Sequence, residues 1–261
     1  MSSATPVALL GATGRMGRAV LQVLPEFPDL VLTGALCGPS SAGLGRDAGE
    51  AAGGGPLGIA MSGDTGTVLA GAEVAVDFTL PGAVAAHAAA CATAGVAFVC
   101  GVTGLDERAH AALEAAARDV PVLWSPNMSA GVAVLARLAA VAAAALGEGF
   151  DGGVFEVHHR AKRDAPSGTA LALAAALDGV AGRRVPTGCA SLRGGDVVGE
   201  HTVVLAGPGE RLELVHRATD RAIFARGALR AAAWLAGRKP GMHAFADVLG
   251  LPRVDTPTGG H

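Results

Sequence analysis

The feature that most constrains the fold is the apolar run Val7-Ala8-Leu9-Leu10 passing directly into Gly11-Ala12-Thr13-Gly14-Arg15-Met16-Gly17. The run reads as a buried strand, and a helical pattern opens at Arg15 and continues to Leu24. The glycines form G-x-x-G-x-x-G, a variant of the dinucleotide fingerprint G-x-G-x-x-G. In that fingerprint glycines allow the tight turn, the approach of backbone to pyrophosphate, and close helix–sheet packing. Glycines also serve plain turns. What favours a nucleotide is the position of this loop, after the first strand of a βαβ pattern.

That pattern continues. Strand-like runs at Val31–Leu36, Val74–Phe78, Ala97–Cys100 and Val120–Trp124 alternate with helical patterns at about Gly82–Ala94 and Asp106–Arg118. Near-continuous apolar strands separated by helices predict a parallel, doubly wound sheet of the Rossmann type, within an α/β fold. The stretch Cys37 to Gly66 is rich in Gly and Ser and long for a loop, with a short edge strand expected near Leu57–Met61.

After a long Ala/Val/Leu helix at Gly131–Leu146 the pattern changes. Strand-like runs at Val154–Val157, Ala190–Arg193, Thr202–Ala206 and Arg211–Arg217 predict an antiparallel or mixed sheet. Helices after Thr169 and at about Ala222–Leu235 are expected to cover one face of it. The expected organisation is a dinucleotide-binding domain of residues 1–127 plus 237–261, with an inserted α+β mixed-sheet domain over 128–236. The tail Gly241–Pro252 would pack back on the first domain.

Composition excludes several classes. With a net charge of −3, the chain lacks the basic excess of a nucleic-acid binder. Hydrophobic content is 51 %, yet no window of about eighteen residues is uninterrupted, so no membrane span or membrane partner is expected. Cys37, Cys91, Cys100 and Cys189 show no ligand spacing and read as reduced thiols of a cytoplasmic protein, with no metal site. The absence of H-x-x-x-H and H-E-x-x-H argues against a histidine metallohydrolase.

Chemistry is concentrated in Glu156-Val157-His158-His159-Arg160-Ala161-Lys162-Arg163-Asp164-Ala165-Pro166-Ser167-Gly168-Thr169-Ala170. Ser167 reads as the N-cap of the following helix. Free backbone N–H groups at that helix start would bind an anion, with Arg160, Lys162 and Arg163 adding charge. Adjacent residues on a strand face opposite ways, so one of His158 and His159 faces any given cleft. Three further turns fall at carboxyl ends of strands: Asp77-Phe78-Thr79, Gly101-Val102-Thr103-Gly104 and Ser125-Pro126-Asn127-Met128. Each alone is a βα turn. Several along one sheet edge, with the glycine loop, describe a cofactor groove.

The combination resembles the 4-hydroxy-tetrahydrodipicolinate reductase (dihydrodipicolinate reductase) family. The most specific part is Glu156-x-His158-His159-x-x-Lys162-x-Asp164-Ala165-Pro166-Ser167-Gly168-Thr169-Ala170. Supporting matches are Gly11-x-x-Gly14-Arg15-Met16-Gly17, Asp77-Phe78-Thr79, Gly101-x-Thr103-Gly104, Asn127-x-Ser129-x-Gly131-Val132 and Arg193 through Thr202. The resemblance implies NADH- or NADPH-dependent reduction of a cyclic imine dicarboxylate with loss of water, on the diaminopimelate route to lysine. It implies His158 as proton donor and acceptor, Lys162 as second donor, and His159, Ser167, Gly168 and Thr169 on the substrate carboxylates. It places the nicotinamide cofactor on Gly11, Ala12, Thr13, Gly14, Arg15, Met16 and Gly17, on Cys37, Gly38, Phe78 and Thr79, and on Gly101, Val102, Thr103, Ser125, Pro126, Asn127 and Met128. It also implies a homotetramer, with catalytic and cofactor residues on different domains.

Two departures stand out. Many members carry an acid and an Arg where this chain has Cys37 and Gly38, which leaves open the choice between the cofactors and leans to dual use. The stretch Leu177–Ser191 is short and lacks a Gly- and Arg-containing loop, which reads as an altered rim or subunit contact. The competing readings are a reductase of a related cyclic imine and a catalytically inactive nicotinamide-binding regulatory protein. Loss of His158 or Lys162 would favour the latter, and both are present.

Overall fold

A computed structural model describes residues 4–179 and 187–252. The chain forms two units, one holding the described residues up to Met128 together with Ala222–Leu249, the other those of Ser129–Arg221 together with residues 250–252. In chain order the first unit begins β1 (Thr5–Leu10), α1 (Arg15–Val23), β2 (Leu30–Leu36), α2 (Ala48–Ala51), α3 (Thr65–Leu69), β3 (Val74–Asp77), α4 (Pro81–Ala94), β4 (Ala97–Cys100), α5 (Glu107–Ala116) and β5 (Pro121–Trp124). The second unit holds α6 (Ala130–Leu146), β6 (Asp151–His158), α7 (Gly168–Asp178), β7 (Gly188–Arg193), β8 (Gly199–Gly207) and β9 (Glu210–Ala218). The chain then returns to the first unit as α8 (Ala222–Leu235), β10 (Gly241–His243) and α9 (Phe245–Val248).

The first unit is a six-stranded parallel sheet in the order β10-β5-β4-β3-β1-β2. Every residue of β3 and β4 is buried, as a sheet covered on both faces requires. One face carries α4 and α5, whose Val84, Ala88, Cys91, Ala109 and Leu113 pack with Ala75 and Phe98. The other carries α8, which packs on α1 and on β3, β4 and β5. This corrects the expectation that α8 covers the second sheet and that the inserted domain runs to 236. The inner side of α8 is Ala225, Gly227, Ala228, Ala231 and Ala232, all buried, and so small that the helix lies close on its neighbours. At Gly227 an added Cβ would stand 1.7 Å from the Met128 carbonyl oxygen. A side-chain pattern this bland marks a buried helix without saying which sheet buries it. Of the tail, β10 pairs with β5 of the first sheet, whereas the described residues from Gly250 on group with the second unit.

The long 37–66 stretch is organised by carboxylates. Asp47 caps α2, accepting from the N–H groups of Gly49 and Glu50, and also accepts from Leu57 and Ile59 across the loop. Asp64 caps α3 through the Thr67 N–H at 2.7 Å. The edge strand expected at Leu57–Met61 is reduced to isolated bridges, Asp47 with Ala60 and Leu36 with Ser62. The Asp47 carboxylate takes N–H groups that a ladder would otherwise use.

The second unit is a mixed four-stranded sheet in the order β7-β6-β8-β9, with β7 parallel to β6 and the other pairs antiparallel. On one face Val154, Val203 and Leu205 pack against Leu135, Ala139 and Ala143 of α6 and Leu173 and Leu177 of α7. The opposite face leaves Phe155, Leu192 and Val215 exposed. By length and composition alone, the segment Ala130–Gly149 is long and apolar enough to cross a membrane, which amends the expectation that no stretch qualifies. Here α6 instead packs on α7 and β9. Of the shortened 177–191 segment, residues 180–186 lie outside the described residues.

Candidate active site

In the first unit the expected cofactor residues gather on one edge, because β1, β3, β4 and β5 are neighbouring parallel strands ending on the same side. Gly11 has φ +89°, a conformation side chains rarely adopt. A Cβ there would also come within 3.0 Å of the Phe78 carbonyl oxygen. At Gly17 a Cβ would stand 2.2 Å from the Gly11 carbonyl oxygen, so the first turn of α1 is pressed onto the loop. Gly14 is the N-cap of α1 and supplies no side-chain acceptor, the condition in which a helix start serves an anion. The Phe78 ring lies on Gly101, where a Cβ would be 2.2 Å from the ring edge. Trp124 donates its indole N–H to the Val102 carbonyl at 3.0 Å, and the Ser125 hydroxyl donates to the Asn127 carbonyl at 2.7 Å. At Gly11, Gly17 and Gly101 the backbone is packed too closely for any Cβ, the tight turn and close helix–sheet packing that a dinucleotide loop requires.

Sequence reasoning passed over what holds the Phe78–Thr79 turn. Asp77, fully buried at the end of β3, accepts from the Thr79 N–H at 2.7 Å and pairs with His87 Nδ1 of α4 at 2.8 Å. Beyond β2, Cys37 is buried and donates its N–H to the Ser62 carbonyl, while Gly38 is exposed with open space around it.

In the second unit the side chains of Val154, Glu156 and His158 point to the helix-covered face, as the alternating burial of β6 shows. The inner face is apolar at Val154 and becomes ionic at its carboxyl end. Glu156 is fully buried there. Its Oε2 pairs with His158 Nδ1 and accepts from Arg193 Nη1 at 2.9 Å. Its Oε1 accepts from Arg193 Nη2 at 2.7 Å and from the Ser167 N–H at 3.2 Å. Arg193 faces this carboxylate because β7 runs parallel to β6, with His158 beside Arg193 in register. Burial alone would raise the Glu156 carboxyl, but hydrogen bonds from Arg193, Ser191 and His158 outweigh it and hold it at about 2.

The His158 ring lies over Gly199, where a Cβ would come within 3.0 Å of Nε2, and meets His201 edge-on at 5.1 Å between centroids. Burial pushes His158 below its ordinary value while Glu156 pushes it up, with Lys162 and Arg193 opposing. His201, paired with Glu156 in the β6–β8 ladder, is lowered to about 4, first by burial and then by His158, His216 and Lys162, against the pull of Glu156. Its Nε2 lies 3.4 Å from the Ser167 hydroxyl, and among the described residues its Nδ1 has no hydrogen-bond partner.

The start of α7 is as expected: Ser167 is the N-cap and accepts from the Ala170 N–H at 3.1 Å. Gly168 is exposed, and His159, just past the end of β6, is half-buried, as is Thr169. The Lys162 ammonium is held by both oxygens of Asp164 at 2.8 Å. The structure thus brings His158, Ser167 and the Glu156–Arg193 pair into one cluster. Arg193 and His201, quoted only as part of a matching run, prove to be members of it. The available signal was the i, i+2 spacing of Glu156 and His158 on a strand.

A Rossmann-type unit with glycine cradles, joined to a mixed-sheet unit bearing a buried histidine beside a capped helix start, defines a nicotinamide-dependent oxidoreductase. Residues 5–128 match the family model "Dihydrodipicolinate reductase, N-terminus", and residues 131–249 match "Dihydrodipicolinate reductase, C-terminus". The chain belongs to the dihydrodipicolinate reductase family, and its activity is that of a 4-hydroxy-tetrahydrodipicolinate reductase. A relative of that name from Anaeromyxobacter dehalogenans (strain 2CP-1 / ATCC BAA-258) is 50% identical over 95% of this chain and 98% of its own. Another, from Myxococcus xanthus (strain DK1622), is 47% identical over 94% and 98%. Among solved structures, a dipicolinate-bound dihydrodipicolinate reductase from Paenisporosarcina sp. TG-14 shares the fold, with TM-score 0.75, 20% identity and coverage of 94% and 98%.

Proposed function

We propose that His158 exchanges the proton in reduction of the cyclic imine dicarboxylate, with Lys162 as second donor. His159, Ser167, Gly168 and Thr169 hold the substrate carboxylates. The observation that carries this reading is the placement of a buried, ring-immobilised imidazole beside a capped helix start and a lysine. Bound on the Gly11–Gly17 loop and the turns at Phe78–Thr79, Gly101–Thr103 and Ser125–Met128, the nicotinamide supplies the hydride. The chain supplies orientation and protons. Hydride addition leaves negative charge on the ring, and an imidazole, which can both hold and release a proton, is suited to neutralise it. The helix start contributes about 0.3–2 kcal/mol to anion binding, so Lys162 provides the larger share of substrate capture. The dipicolinate bound to the Paenisporosarcina reductase supports a small dicarboxylate as ligand.

Neither an acid nor an arginine follows β2, so the adenosine ribose meets neither a carboxylate that repels a phosphate nor a guanidinium that demands one. On that ground both NADH and NADPH serve. The exposed apolar face with Phe155, Leu192 and Val215 supports self-association, here as a homotetramer, and four free cysteines fit the cytoplasm. The decisive assay mixes the protein with substrate made in situ by the upstream synthase and follows oxidation of NADH and NADPH separately. Oxidation of both is expected. Binding of either cofactor without turnover would instead support a regulatory protein.

A further inference from the structure

The Glu156 carboxylate is divided between two tasks. Were it only the partner of the half-buried Arg193, the bidentate fork would use one acceptor site on each oxygen and the others would stay open. Instead each oxygen takes one arm of Arg193 and one further donor. Oε2 takes Nη1 and His158 Nδ1; Oε1 takes Nη2 and the Ser167 N–H, at the position that starts α7. Arg193 is itself fixed, donating from Nη2 to the Asp164 carbonyl at 2.6 Å. One buried group therefore ties the imidazole to the start of the helix beside it.

We propose that Glu156, braced by Arg193, is the positioning residue of this site: it keeps the proton of neutral His158 on Nδ1, leaves Nε2 as the reacting nitrogen, and sets the α7 start relative to that nitrogen. This rests on the reading that His158 exchanges the reaction's proton. Two geometric facts support it. Nε2 lies over Gly199, and among the described residues it has no hydrogen-bond partner. A carboxylate at Nδ1 fixes which ring nitrogen carries hydrogen. The charged and titratable groups facing His158 are Glu156 on its own strand, Arg193 on β7, His201 on β8, and Lys162 with Asp164 on the following loop. Beyond His201 stands His216, its partner across β8 and β9. Of these, only Glu156 touches Nδ1 with negative charge, so its loss lowers the imidazole's proton affinity.

The test compares wild type with Glu156→Gln, Arg193→Lys and His158→Gln. In Glu156→Gln, kcat is expected to fall about 10- to 100-fold, as for other partners behind a functional histidine. KM for both substrates should change less than threefold, and the kcat limb set by His158 should move to lower pH. Arg193→Lys, which keeps the charge but loses the fork, should give a smaller change in the same direction. Nitrogen NMR of the wild-type imidazole should show hydrogen on Nδ1, a result that does not depend on any variant folding. The Nε2–H tautomer in wild type, or wild-type kcat with an unmoved limb in Glu156→Gln, would overturn the proposal. Undiminished kcat in His158→Gln would instead overturn the reading beneath it, so the two failures are distinguishable.

Discussion

Each unit contains a buried carboxylate paired with a histidine Nδ1, and the two pairs serve different ends. Asp77 and His87 sit ten residues apart, joining the end of β3 to α4 at 2.8 Å. The second oxygen of Asp77 takes the Thr79 N–H, and the Thr79 hydroxyl lies 3.4 Å from the same ring nitrogen. Everything in that pair closes on the backbone turn it supports. Glu156 also pairs with a histidine, but a guanidinium from a neighbouring strand supports the acid, and the far ring nitrogen faces a glycine rather than a partner. An acid beside a histidine is therefore not a catalytic signature by itself. What separates the two is how the acid is held: Asp77 is shared between its own turn and His87, whereas Glu156 is braced by Arg193 without the imidazole's help.

The largest contrast should appear in kinetics. His158→Gln is expected to lower kcat by about 10²–10⁴-fold with little change in substrate KM, as befits a lost general acid. Steady-state rates with both cofactors check this, and a full-rate variant would erase the distinction between the pairs. Next comes acid sensitivity. The Glu156 carboxyl is held at about 2 against its ordinary 4.5, so the stability it adds is present above 4.5 and lost as pH falls toward 2. That shift corresponds to roughly 3 kcal/mol. His201, lowered from 6.5 to about 4, is kept neutral by the fold, so the unfolded chain binds the extra proton and stability also falls between 6.5 and 4. Urea midpoints measured from pH 7 to 3 should decline through both windows, and a flat profile would contradict the buried cluster.

A smaller effect belongs to the first unit. Asp77→Asn leaves His87 with a weaker partner, a change of about 1–3 kcal/mol in a buried hydrogen-bond pair. It should surface as roughly tenfold weaker cofactor binding with kcat nearly kept. Equal loss of kcat at saturating cofactor would mean that this pair, too, reaches the chemistry. Smallest is Gly199→Ala, which displaces the His158 ring by a few tenths of an ångström. A kcat loss of a few-fold is expected, read in the same assay.

How far the sequence foretells these arrangements depends on the distance over which each is decided. β4 at Ala97–Cys100 and α8 at Ala222–Leu235 coincide with their predicted spans, because a buried apolar run and a helical pattern are local properties. The sheet that α8 covers was not legible, since Ala225, Ala228 and Ala232 fit closely against either. Likewise α2 and α3 are too short for periodicity to show, and only their caps, Asp47 and Asp64, betray them. The motif around His158 was legible as a string, with Ser167 as cap. The role of Arg193 was not, because it depends on a parallel register between strands whose sequence separation hides it. Asp77 and His87 were hidden for the same reason, one closing a strand and the other inside a helix.

The return of the chain at Ala222 carries a consequence for how the protein is made. On a ribosome, β1 to β5 emerge first, but the face over β3–β5 and the edge of β5 are completed only by α8 and β10. All of Ser129–Arg221 must be synthesised in between. The nascent first unit therefore waits with apolar surface uncovered while the second unit, continuous in sequence, is free to fold. A nascent chain arrested after Arg221 should accordingly be a chaperone client in its amino-terminal part, and translation of the last helix and strand should end that dependence.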